Sequence, residues 1–192
     1  MLKNLPLKVK LIGAFVLIGL APLLVAALVA VNTASFSLKK AAFDQLRSVR
    51  EIKHNQIAAY FSERVGDVSV LATNPTVVSA LRDMRKAFEG DGGKVGGSRW
   101  HNAKQTYGPW LSEYKEKYGY YDLFLIHRDG DVVYTVAQES DLGQNIVSGS
   151  LRSSSLGKCF RKSVREVGFA DFEPYAPSNG EPASFVGAPV HD

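Results

Sequence analysis

The chain has 192 residues, 45% of them hydrophobic, which is room for one or two domains with a buried core. Three of its 23 basic residues, Lys3, Lys8 and Lys10, precede the first apolar run, leaving 20 basic against 19 acidic residues. A formal charge of +4 placed this way is a basic tag on a nearly neutral domain. It excludes a polyanion-binding protein, so no nucleic-acid partner is expected.

After a short tail (1–10), residues 11–31 form an apolar run without a charged or amide side chain. At 1.5 Å per residue, about 21 helical residues cross the roughly 30 Å hydrocarbon layer. Pro22 lies near the centre, where membrane helices tolerate it. A cleaved signal peptide has a shorter apolar core, about 7–15 residues, ending in small side chains. Ala26, Ala27 and Ala30 keep that alternative open, while the length favours an anchor. The preceding lysines put the N-terminus in the cytoplasm and everything after Val31 outside. Cys159 is the sole cysteine, which excludes an intrachain disulfide, a thiolate metal site and a lipoprotein.

Residues 32–89 read as helical. From Ser37 to Thr73 there is no proline, and apolar residues such as Phe43, Leu46, Val49, Ile57, Tyr60 and Phe61 recur at three- and four-residue steps. Continuity with the membrane segment would let this helix transmit displacement. Asn74-Pro75 punctuates it, with Asn74 as cap and Pro75 opening a second helix to about Phe88. The glycine-rich stretch 90–98 lacks the Gly-Lys-Ser/Thr of a phosphate loop and reads as a linker. Ser98 suits a cap for a third helix, interrupted at Gly108-Pro109 and ended by Gly119.

The remainder, 99–192, is the candidate sensor module. Residues 121–127 and 131–137 read as strands around a two-residue Asp129-Gly130 turn. Leu123 and Leu125 point to one face, Phe124 and Ile126 to the other, so both faces must be covered. The polar loop 138–153 is long enough to cover one of them. A helix follows with Leu156, Cys159, Phe160, Val164 and Val167 inward and Gly168 as its stop. Residues 169–175 and 183–190 make a second hairpin.

Three separated blocks carry a resemblance: "VREIKHNQIAAYFSERVGDVSVLATNPTV", "GYYDLFLIHRDGDVVYTVAQESDLGQN" and "DFEPYAPSNGEPASFVGAPV". Together they resemble the double Cache, PAS-like ectodomain of bacterial methyl-accepting chemotaxis receptors, and the likeness covers nearly everything after Lys39. It implies an α+β fold: a transmembrane helix continuing into a long helix, then a PAS-like antiparallel sheet with flanking helices. The single apolar run of this chain gives an inner-membrane, single-pass location, and the resemblance implies a homodimer through the long helices in the intact receptor. The family pattern continues into a second span, a HAMP relay and a signalling rod. The fifth strand of a PAS-like sheet lies between the two hairpins and is missing here. The chain is therefore expected to be an N-terminal fragment, incomplete at its C-terminus through truncation, frameshift or annotation.

The expected function is small-molecule sensing. Candidate pocket residues are Tyr121, Asp122, Phe124 and Tyr134 on the first hairpin, with Asp171 and Tyr175 on the second. Asp122 and Asp171 equally suit strand-end caps, and buried tyrosines are commonly core. The Arg-x-Trp of amino-acid-binding Cache receptors is absent, so an amino-acid ligand is not implied. Glu139, Asp141 and Asn145 either orient a ligand or hold their own loop. No His-Glu-x-x-His or Gly-x-Ser-x-Gly pattern occurs, and neither catalysis nor a cofactor is expected. Two alternatives stay open: the sensor region of a histidine kinase or nucleotide cyclase, and a single-span, membrane-anchored protein-binding domain.

Overall fold

The computed structural model describes residues 6–191; Lys3 and the other residues before Pro6 in the expected tail lie outside the described residues. The chain divides into two compact units, Met1–Ala59 and Tyr60–Asp192. Helix α1 (Leu7–Ala72) runs through the first and contributes its last residues to the second. Within the first unit it is exposed throughout and keeps Pro22 inside the helix. Its apolar part matches a membrane span or a signal sequence in length and composition.

The second unit is α+β, with helices and two antiparallel two-stranded sheets. Asn74 caps α2 (Pro75–Gly90), its side-chain oxygen accepting from the Thr76 amide at 2.8 Å. Helix α3 (Ser98–Tyr118) starts one residue earlier than expected, because Gly97 takes the cap position. It also runs through Gly108-Pro109 rather than breaking there, and ends where Gly119 adopts left-handed backbone, φ 69°. Buried Trp100 and Leu111, on either side of the proline, hold the helix against its neighbours. That packing outweighs the one hydrogen bond a proline forfeits.

The first hairpin pairs β1 (Phe124–Ile126) with β2 (Val132–Thr135), both shorter than expected. At the open end Asp122 interrupts the ladder: its carboxylate takes the Leu123 amide that would bond across, and the Ala137 amide beside it, at 2.7 and 2.8 Å. The turn is not a two-residue one. Only Gly130 has positive φ (94°), its amide bonds the His127 carbonyl, and the register shifts at Ile126. This is a three-residue loop closed by a glycine bulge, which spares Asp129 the left-handed region. The expected facing holds. Leu123 and Leu125 join Met84, Ala80 and Trp100 in one core cluster, while Phe124 and Ile126 pack on Val132, Ile146 and Tyr175 in the other.

The 138–153 loop is more structured than a polar connection. It buries Ile146 fully, returns Gly143 and Gln144 to bond Val132, and ends in a 3-10 turn, Ser150–Ser153. Helix α4 (Ser155–Ser163) is shorter than expected, and Val164 and Val167 are not buried. A four-residue turn, 164–167, leads instead to the strand β3 (Gly168–Tyr175), with Gly168 pressed on Ser163: a Cβ there would lie 2.5 Å from its Oγ. Cys159 is a core residue, as expected. Strand β3 pairs with β4 (Glu181–Gly187) through a 3-10 turn, Ala176–Ser178. Pro174 and Pro182 face each other in this ladder. Neither has an N–H, so the pair occupies a non-hydrogen-bonded position and both nitrogens turn outward.

Arg85 ties α2 to the first hairpin. Its guanidinium bonds Glu89 at 2.8 Å, Asp129 at 3.3 Å and Asp131, whose other oxygen accepts from Asn145. Burial pushes Asp131 up, but the bonds from Asn145 and Arg85 outweigh it and hold the carboxyl below its ordinary value. A lowered folded pKa contributes stability above the unfolded value of about 3.9 and loses it as pH falls through the folded one. Arg85→Met should therefore cost about 1–3 kcal/mol at neutral pH and flatten the acid limb of the stability profile, read by urea unfolding at stepped pH. A variant with the wild-type acid limb would dismiss the clamp.

Candidate functional site

Each hairpin leaves a strand unpaired on one side. The outer edge of β2 is closed, because Gly143 and Gln144 bond Val132 and the Trp100 indole donates to the Val133 carbonyl at 2.8 Å. Among the described residues, strand β1 pairs only with β2, and β4 only with β3. Both β1 and β4 line one cleft of about 1310 Å³, walled by the end of α1, α2 and α4.

Four of the six candidate pocket residues border this cleft: Tyr121, Asp122, Phe124 and Tyr175. Tyr121 is exposed at the mouth, and its hydroxyl donates to Glu139 at 2.5 Å. Phe124 meets Phe185 edge-on, 6.0 Å between centroids, and Phe185 in turn meets Tyr175 at 4.9 Å. Tyr134 is elsewhere, 2% exposed in the cluster beneath α2 and α3. Asp171 is exposed in the irregular part of the β3–β4 ladder, its carboxylate accepting from the neighbouring Phe172 amide.

Sequence reasoning missed Arg64, on the last turns of α1. Its guanidinium lies 5.0 Å from the ring centres of both Tyr60 and Tyr120 and donates to the Tyr118 carbonyl at 2.8 Å. Asp67 stands 3.4 Å away. Burial pushes the Tyr120 phenol up to about 12, while the Arg64 bond opposes it. The signal was an arginine inside the apolar stripe, three residues before an aspartate on one helix face. Ser178 was missed as well; its hydroxyl donates to Glu139 at 2.6 Å. Among the described residues no cluster of histidine, cysteine and acids fits a metal ion.

No family model, curated protein or solved structure matches this chain. The cleft therefore rests on its own chemistry: an apolar floor of phenylalanines, a basic and aromatic wall at Arg64, and a hydroxyl and carboxylate rim at Tyr121, Glu139 and Ser178.

Proposed function

We propose that this chain is the extracytoplasmic sensing region of a bacterial transmembrane receptor of the Cache type, anchored through α1 with its N-terminus in the cytoplasm. The cleft between β1 and β4 carries the reading, since a large apolar cavity with a few convergent polar groups is the usual form of a small-molecule site. In this reading a further strand of the PAS-like sheet lies between β1 and β4, and a small polar metabolite binds against Tyr121, Phe124 and Tyr175. The exposed apolar residues Phe36, Phe43, Leu46 and Ile57 of α1 favour pairing with a second copy along that helix. The output is a chemotaxis signalling rod, or alternatively a kinase or cyclase. The second reading, an anchored protein-binding domain, draws on the same open edges, because an unpaired strand accepts an extended segment of a partner.

A thermal-shift screen of polar metabolites separates the two. A ligand at about 100 times its Kd adds about 2.7 kcal/mol to the stability of the folded state. Phe124→Ala, which opens the floor, should weaken that ligand at least tenfold per folded molecule. Stabilisation only by peptides, competing with one another, would favour the protein-binding reading. Equal affinity in Phe124→Ala would remove the cleft from either.

A further inference from the structure

Asp141 is fully buried where the two hairpins meet. Its Oδ2 accepts from the Tyr175 hydroxyl of β3 at 2.8 Å, and its Oδ1 has no hydrogen-bond partner among the described residues. Two residues earlier in the same loop, Glu139 accepts from Tyr121 before β1 and from Ser178 after β3. One short segment thus fastens the mouth of the first hairpin to the end of the second. Asp122 lies close behind, accepting from Thr135 of β2. None of these three carboxylates enters an ion pair among the described residues. Lys104 of α3 reaches this loop, but it donates to the Gln138 amide oxygen instead.

We propose that residues 138–149 form a pH-responsive fastening, closed when Asp141 holds a proton and slackened when it ionises. An ionised Asp141 buries a charge with one oxygen unserved and two further carboxylates nearby, which is costly; the neutral acid removes most of that cost and keeps the Tyr175 bond. The directions agree. Burial pushes the Asp141 carboxyl up, the Tyr175 hydroxyl opposes the rise, and Asp122 and Glu139 add to it. A raised folded pKa gives a contribution complete below the unfolded value of about 3.9 and lost as pH climbs through the folded one. The fastening is tight in acid and loosens upward, opposite in sign to the Arg85–Asp131 clamp. It belongs to the loop itself and stands independently of the receptor reading.

The test uses the full 192-residue chain in detergent micelles. Amide exchange over residues 138–149, corrected for its intrinsic pH dependence, should show opening that grows as pH rises above the ordinary carboxylate range. In Asp141→Asn that growth should vanish, leaving the low-pH level throughout, whereas Glu139→Gln should keep it. An identical profile in wild type and Asp141→Asn overturns the proposal. Should that variant fail to fold, wild-type infrared spectra carry the decision. A buried protonated-carboxyl band should persist above the ordinary range and disappear at still higher pH in Tyr175→Phe, which lacks the opposing donor. Absence of the band, or an unmoved midpoint, overturns the proposal equally.

Discussion

Trp100→Ala should cost the second unit about 3–5 kcal/mol, a large share of the 5–15 kcal/mol that holds a typical domain together. The indole is 3% exposed and packs in the cluster that joins α2, α3 and the first hairpin. It also donates to the Val133 carbonyl, on the side of β2 turned away from β1. Truncation leaves both a cavity and an unserved carbonyl. Trp100→Phe separates the two, restoring much of the volume without the N–H, and should cost about 1–2 kcal/mol. Urea unfolding followed through the remaining tryptophan, Trp110 of α3, reads both. A loss below about 1 kcal/mol in Trp100→Ala would mean that the α3–hairpin junction contributes little.

Arginine at both Leu17 and Leu24 should remove the chain from the membrane fraction. Each costs about 2.5–3.5 kcal/mol near the centre of a spanning helix, so the pair reverses the partition of a run this long. Both positions lie in the exposed apolar part of α1. Fractionation of cells expressing the two chains gives the result directly, and sequencing the mature N-terminus adds the second half. A wild-type chain retaining Met1 in the membrane is an anchor, and a shortened soluble one is the product of a cleaved signal. Unchanged membrane retention of the double variant would place attachment elsewhere.

What was legible in the sequence is what neighbouring residues decide among themselves. The long helix, the Asn74 cap before Pro75, the stop at Gly119 and the two faces of β1 all follow from local spacing and backbone preference. What escaped was decided by distant partners. The strands end early at their open end, where Asp122 captured the Leu123 amide that would continue the ladder, and α3 crossed Pro109 because its flanks are anchored. Helix α4 stopped early where Gly168 and Gly187 close on Ser163. The same division governs the cleft. Alternation puts Phe124 on the cleft side of β1, whereas Tyr134 packs beside Trp100 in the opposite core and Asp171 lies exposed at the register shift of β3. Arg64 sits 54 residues from the carbonyl it holds, a separation that no periodicity encodes.

The opposed prolines of the second hairpin have a consequence for how this surface behaves in a crowded cell. An open strand edge recruits any other strand it meets, and contact between copies is the commonest meeting of all. With the Pro174 and Pro182 nitrogens turned outward, each outer edge of β3–β4 lacks a donor midway along. An incoming strand loses a bond at that point on either side, so indiscriminate stacking of hairpins is interrupted before it propagates. Strand β1 has no proline, but with three residues it is too short to seed a ladder alone. The molecule keeps its edges available to a well-matched occupant while denying them to its own aggregates.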